Sequence, residues 1–481
     1  MEFLADGLNR WGPSLLLALP LGSPGHAAGT VLPRGFFLAL GLIYLGALAL
    51  DRLAERLRLP GAAAVLLLGL ALHEPLAGYH HIRSEHVETV ERIGLALLIF
   101  YAGLGTDLRR IRGHLGRGLR LALLAVLSTL AITFLVLTAF ASRQADGLRL
   151  AAGPGLPLAA AALSAACLTA VDTAALEEQL RAMGHSINSQ LRQLLQFEAA
   201  LSTLISLLSF GLIAGMLQLH GHDHPLGLQA EVASTMAPQL LMVLRHLLAG
   251  LLGGACVGVC SPTLIRRLVH SEAQLLLLAV ALAFVAFGLG QQLGGGGLVS
   301  VFVTGMWLSN GRYRFHQFDQ HALRRALHPL NTAAEFTVLL LLGMIVVPAD
   351  LIAVLPLGLL LALSLDLGRL AGVWLALPGQ AFAPAERLFI ACCGPRGAVP
   401  LSLALGLAEL LPHLRGIPAA GIERLAAHLL AAIFLAVLFN LLLQNALVQL
   451  QGRRLPARAS GPVEPGGSTL PGDPIDSGGH A

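Results

Sequence analysis

Apolar residues fill this chain in long blocks, broken by short loops that hold most of the polar residues. Thirteen blocks reach or approach the about 20 residues a helix needs to cross a hydrocarbon core. They lie near 35–54, 59–76, 90–106, 118–142, 156–178, 192–219, 236–266, 272–291, 296–310, 322–347, 351–377, 385–411 and 422–450, the second and ninth being short. The pattern predicts an all-α polytopic membrane protein with about 13 transmembrane helices. Residues 1–34 form a separate N-terminal segment. Its apolar run Leu15–Leu21 is too short to span and reads as an interfacial helix, with a signal-like segment as the alternative. Residues 451–481 are rich in Pro, Gly and Ser and read as a disordered cytoplasmic tail.

Two of the blocks are interrupted. The fifth carries Asp172 within Ala165–Leu176; the twelfth carries Arg396 within Ala391–Leu401, among the helix breakers Gly394, Pro395 and Gly397. A charge at membrane depth costs from roughly 2.5 kcal/mol upwards, so each marks a functional site by default. Backbone freed by a break is tolerated at that depth only against protein or a water-filled cavity. Broken segments in corresponding positions of two halves point to a transport site.

Composition agrees. Hydrophobic residues make up 56% and charged residues 12%, with a mean hydropathy of +0.74; a soluble domain carries about 25% charged residues. The net charge of +4 comes from arginine, since the chain has no lysine. No basic patch with interleaved aromatics is present, which argues against nucleic-acid binding. The five cysteines lie in apolar stretches without metal-ligand spacing to histidine and read as small core residues. No nucleophile–base pair, metal motif or phosphate loop stands in the membrane region, so the chain reads as a non-enzyme with no cofactor and no metal. Arginines cluster after odd-numbered spans: Arg52, Arg56 and Arg58 after the first, Arg266 and Arg267 after the seventh, Arg453 and Arg454 after the last. The positive-inside rule then puts the C-terminus in the cytoplasm and the N-terminus outside.

Four stretches, read in order, resemble the sodium/proton exchanger family of NhaP-type monovalent cation/proton antiporters. Ile93–Leu108 is similar to that family's third span, Gly297–Asn310 to its ninth, Ala334–Gly343 to its tenth, and Gly394–Pro400 to its Gly-x-Arg-Gly element. The resemblance covers about residues 35–450. It implies two inverted six-helix repeats joined by a linker helix, with interrupted fifth and twelfth spans crossing near the midplane. Spans four to six and eleven to thirteen would form a moving core, and the rest a scaffold that pairs two copies into a homodimer. It implies exchange of Na⁺ or K⁺ for H⁺ across the inner (plasma) membrane.

The carry-over is partial. Where the family has Thr-Asp-Pro, Val171-Asp172-Thr173 keeps the Asp; where it has Glu-Ser-x-x-Asn-Asp, residues 198–203 keep only Glu198. Thr203 stands in place of the usual carrier Asp, and a hydroxyl can ligate a cation but cannot exchange a proton at physiological pH. Asp172 then reads as the carrier, with Thr203, Ser202 and Thr169 as neutral ligands; the competing reading is an Asp that satisfies helix ends at the break. The resemblance pairs Glu198 with Arg396 in a structural ion pair. Asp366 and Arg369, three apart on the eleventh span, suit a pair on one helix face. Glu335 reads as a scaffold anchor, and His220, His222 and His224 as a solvated outside loop. Besides the antiporter, two readings stand. One is a family relative that has lost coupled exchange and acts as a channel-like or regulatory protein, supported by Thr203. The other is a carrier of a different solute or anion, which an Arg396 free of Glu198 would favour.

Overall fold

The structure is a computed structural model that describes residues 36–57, 59–73, 84–106, 115–143, 158–183, 187–219, 231–294, 296–310, 320–378, 382–413 and 419–452. The N-terminal segment, the His220–His224 loop and all but the first two residues of the tail lie outside these.

Among the described residues the helices are α1 (Phe36–Leu57), α2 (Gly61–Ala71), α3 (Ser84–Leu104), α4 (Leu115–Arg143), α5 (Leu158–Cys167), α6 (Thr173–Ala182), α7 (Ser189–Leu219), α8 (Glu231–Leu268), α9 (Glu272–Gly294), α10 (Gly297–Asn310), α11 (Gln320–Ile345), α12 (Pro348–Ala376), α13 (Pro384–Cys392), α14 (Ala398–Leu410) and α15 (Ala419–Gly452). Seven of them are long and apolar enough to cross a membrane, and α2, α5, α10 and α14 are shorter apolar helices. With α5–α6 and α13–α14 each counted as one broken span, the helices make thirteen spans. The breaks fall at the fifth place of the first six spans and the fifth place of the last six, as inverted repeats around the linker α8 require.

The helices pack as two groups. In one, α12 lies along both α4 and α15, α4 packs on α7, and α14 packs on α5 and α15. In the other, α10 is held between α3 and α8, and α11 lies along α2 and α3. Small residues set these close approaches, as is usual where lipid removes the hydrophobic drive between helices. A β-carbon on Gly69 would meet the α11 backbone at Leu340 and Gly343, and one on Gly305 would meet the α3 backbone at Phe100 and Leu104. The first group is the expected core, the second the expected scaffold, and α6 faces the scaffold from the core.

Candidate functional site at the crossing of the broken helices

Helix α5 ends at Cys167 and α6 starts at Thr173; α13 ends at Cys392 and α14 starts at Ala398. The two short extended pieces between them cross, and the Asp172 N–H donates to Pro395 O at 2.8 Å. Each break exposes one helix C-terminus with free carbonyls and one N-terminus with free amides. All four ends meet charge or side-chain partners.

Asp172, 3% exposed, serves both N-termini. Its Oδ1 accepts from Ala174 N (2.9 Å) and Ala175 N (3.2 Å), the first turn of α6, while Oδ2 accepts from Ala398 N (3.0 Å), the start of α14. One carboxylate thus sits where two helix dipoles point their positive ends. Gly397 makes room for it, since a β-carbon there would overlap the Asp172 carboxylate.

Two arginines serve the C-termini. Arg396, 2% exposed, donates from Nη1 to Thr169 O just past the end of α5. Arg369 on α12 donates from Nη2 to Cys393 O at 2.6 Å, just past the end of α13. Arg369 also makes a two-pronged pair with Glu198 on α7, with Nη1–Oε1 2.9 Å and Nη2–Oε2 2.8 Å and both side chains fully buried. Ser202, one turn on, donates to the same Glu198 Oε1 at 2.8 Å.

This corrects two expectations. Glu198 pairs with Arg369 and not with Arg396, because α12 presents Arg369 to α7 while Arg396 is turned back to the carbonyls of the other break. Asp366 does not pair with Arg369 either. Its Oδ1 accepts from Asn440 Nδ2 (3.2 Å) and Gln444 Nε2 (2.9 Å) of α15. Those two amides in turn hold the second break: Gln444 Oε1 accepts from Gly394 N at 2.8 Å and Asn440 Oδ1 from Arg396 N at 2.9 Å. Gly394 has no room for a side chain, because a β-carbon there would overlap the Arg369 guanidinium.

The neutral candidates line the first break. Thr203 donates to Val171 O at 2.6 Å, with Ala199 O at 3.0 Å as an alternative acceptor. Thr169 Oγ1 lies 2.7 Å from Ala166 O and 2.8 Å from Ser206 Oγ. Asp172, Thr169, Thr203, Arg396, Gly394, Pro395 and Gly397 are therefore brought together at the crossing, and Glu198 and Ser202 lie beside it around Arg369.

A cavity of about 930 Å³ opens next to the site. It is lined by Ala174 and Ala175, whose amides hold Asp172, and by Asp51, Glu178, His328 and Glu335 among others. Its lining also includes Glu55, Leu59 and Gly452. At one wall Glu177 of α6 pairs with Arg181 (2.6 Å) and with Arg324 of α11 (2.7 Å), and Tyr101 of α3 reaches it at 3.3 Å.

Compared with known families, residues 41–450 match the transmembrane family described as sodium/hydrogen exchanger. The chain belongs to that family. Among curated relatives, the chain is 26% identical over 398 residues to a K⁺/H⁺ antiporter NhaP2 of Shewanella baltica, covering 80% of this chain and 62% of the relative. It is also 26% identical over 383 residues to a K⁺/H⁺ antiporter NhaP of Alkalimonas amylolytica, covering 79% of this chain and 61% of that one. The chain thus spans less than two thirds of the length of these relatives. Its fold matches that of the sodium proton antiporter MjNhaP1 from Methanocaldococcus jannaschii with a TM-score of 0.70 at 21% identity, over 88% of this chain and 99% of the other.

Sequence reasoning missed Asn440 and Gln444. Two amides four residues apart, at the end of the apolar run 429–443 of α15, were the available signal, since amides at membrane depth need partners. It also missed Arg369 as the partner of Glu198.

Proposed function

We propose that the chain exchanges a monovalent cation, Na⁺ or K⁺, for H⁺ across the inner (plasma) membrane, as a homodimer paired through the scaffold, with Asp172 as carrier. The observation that carries this reading is the setting of Asp172. It is a buried carboxylate at the crossing, held by three backbone N–H groups and, among the described residues, by no basic side chain. An ionised carboxylate offers about four acceptor positions, so three donors leave capacity for a proton or a cation. Both basic residues of the site are already engaged at helix C-termini, and Glu198 is neutralised by Arg369. Competition of proton and cation for one acid, with the core moving against the scaffold, suffices for exchange. The reading of Asp172 as a helix cap and its reading as carrier are compatible, because a cap that changes occupancy links binding to the helix ends. The names of the relatives as K⁺/H⁺ antiporters support the substrate class.

The second reading, a relative without coupled exchange, keeps the support of Thr203, whose hydroxyl is spent on Val171 O. The anion reading loses its basis: Arg396 is free of Glu198, but its guanidinium faces the carbonyl of Thr169. The test is cation-driven dequenching of a pH-sensitive dye in everted vesicles. Na⁺, K⁺ or Li⁺ should collapse a preformed proton gradient with the wild type and not with Asp172→Asn. A wild type inert to all three cations would favour the second reading.

A further inference from the structure

The cavity beside the crossing holds an acid that the site above does not use. Glu335 lies in the middle of α11, is 7% exposed, and lines the cavity; among the described residues no hydrogen bond reaches its carboxylate. One turn earlier on the same helix face stands Asn331, 5% exposed, whose Oδ1 is buried without a partner. Across from them α6 contributes Gln179, 6% exposed, with both Oε1 and Nε2 buried and unpartnered. All three side chains line the one cavity. Elsewhere in the described protein, buried ionisable and amide groups such as Glu198, Asp172, Asn440 and Gln444 are tied into bonds. Buried polar atoms without a protein partner call for water or an ion in the space they face.

Charge decides between the two. The groups that act on Glu335 through space are Asp172 and Glu178 from the core and Asp51 from α1, and all are acids. The basic groups of the cavity lining are spent elsewhere: Arg181 binds Glu177, which Arg324 of α11 also binds, and His328 contacts Arg181. The space in front of Glu335 is therefore ringed by carboxylates with no free cationic side chain among the described residues. A carboxylate joined by neutral amide oxygens is a hard oxygen set, suited to alkali cations, and its single charge matches a monovalent ion better than a divalent one.

We propose that Glu335, Asn331 and Gln179 form a second monovalent-cation site, in the cavity between scaffold and core and separate from Asp172, and that Glu335 gives up a proton when the cation binds. Two ligands come from the scaffold helix α11 and one from the core helix α6, so an occupied site ties the two groups together. As a waiting position for the cation on its way to Asp172, the site rests on the exchange reading; as a binding site it stands without it.

The test reads binding on the purified full chain in detergent. The thermal unfolding midpoint is followed against NaCl, KCl and TlCl, with choline chloride holding ionic strength constant, at two pH values. Asp172→Asn should keep a cation-dependent rise that acid suppresses. Adding Glu335→Gln to it should raise the half-saturating cation concentration about tenfold or more, the loss expected when a charged ligand becomes neutral, and should remove the competition by acid. Asn331→Leu should weaken binding in the same direction. The single Glu335→Gln variant covers the case in which Asp172→Asn fails to fold: against wild type it should lose the tighter or the weaker of two phases. Curves unchanged by Glu335→Gln, or an Asp172→Asn protein that folds and responds to no cation, would overturn the proposal. A wild type that binds in this assay but fails to exchange in vesicles would strike the exchange reading alone.

Discussion

Glu198 and Arg369 face each other with two parallel N–H···O contacts of 2.9 and 2.8 Å, in a place with no solvent exposure at all. The pair joins α7 to α12, and Arg369 extends it to Cys393 O at the second break. Removing one partner of such a pair leaves an uncompensated charge and costs about 3–5 kcal/mol, whereas replacing both by apolar groups can be nearly neutral. Glu198→Leu and Arg369→Met should each cut the amount of folded protein in the membrane sharply, and the double variant should recover much of it. Fluorescence-detected size exclusion of the three variants measures this. Equal abundance of the single variants and the wild type would show that the pair does not hold the core.

The glycines of the second break are set by space. A β-carbon at Gly397 would overlap the Asp172 carboxylate, and one at Gly394 the Arg369 guanidinium. Gly397→Ala should displace the carboxylate from the Ala398 amide and lower exchange at least about tenfold, the equivalent of about 1.4 kcal/mol. Gly394→Ala should lower the unfolding midpoint more than it alters cation affinity, because it pushes on the Glu198–Arg369 pair. Initial rates and unfolding midpoints of the two variants, taken together, separate these effects.

The latch around Glu177 makes a different prediction. Glu177 sits on α6 of the core group and Arg324 and Tyr101 on helices of the other group, with contacts of 2.7 and 3.3 Å, so in the exchange reading the contact spans the two parts that would move. Arg324 keeps 28% and Glu177 14% of its side chain exposed, and the cost of desolvating the two charges offsets most of their attraction, so the pair adds about 0–1 kcal/mol to stability. Even that much shifts a two-state balance up to about fivefold. Arg324→Ala should leave the unfolding midpoint within a degree or two and speed hydrogen–deuterium exchange in α6 and the facing part of α11. A large loss of stability with unchanged exchange would make the contact a structural clamp and not a latch.

Much of this arrangement was readable before the structure. Unbroken apolar runs specify their helices, and Gly394, Pro395 and Gly397 announce a break because a bilayer tolerates freed amides only inside protein. Asp172 announced itself by being charged in such a run. What could not be read was which charge meets which. Arg369 lies three residues after Asp366, so local spacing suggested a partner on its own helix, while packing of α12 against α7 delivered Glu198. Glu335 was read as an anchor because a cavity formed by α1, α6 and α11 has no local signature. The role of Asn440 and Gln444 as props of a break fifty residues away is likewise a matter of tertiary contact.

The last prediction concerns charge movement. Asp172 is the acid left at the crossing without a basic partner among the described residues, and Thr203, where the resemblance would put a carrier Asp, has no proton to trade. A carboxylate that trades one proton for one monovalent cation carries the same net charge in both directions. Arg369 and Arg396 are bound to carbonyls at the two breaks, Glu198 is paired with Arg369, and trading at Glu335 is also one for one, so none of these adds a moving charge. Had a net elementary charge crossed with each cycle, membrane potential would act on it with about 2.3 kcal/mol per 100 mV, enough for a rate change of roughly fiftyfold if the charged step limits turnover. Exchange in proteoliposomes should instead keep its rate within about twofold between 0 and −100 mV. Apparent cation affinity should fall as the medium is acidified, because proton and cation compete for the same oxygens. Asp172→Asn should abolish exchange yet keep one acceptor for a helix N-terminus, with a stability loss of about 0.5–2 kcal/mol typical of a weakened cap. A voltage-driven rate in the wild type, or cation-dependent proton movement in folded Asp172→Asn, would place a second transported charge in the site and make Glu335 or Glu198 the carrier to examine.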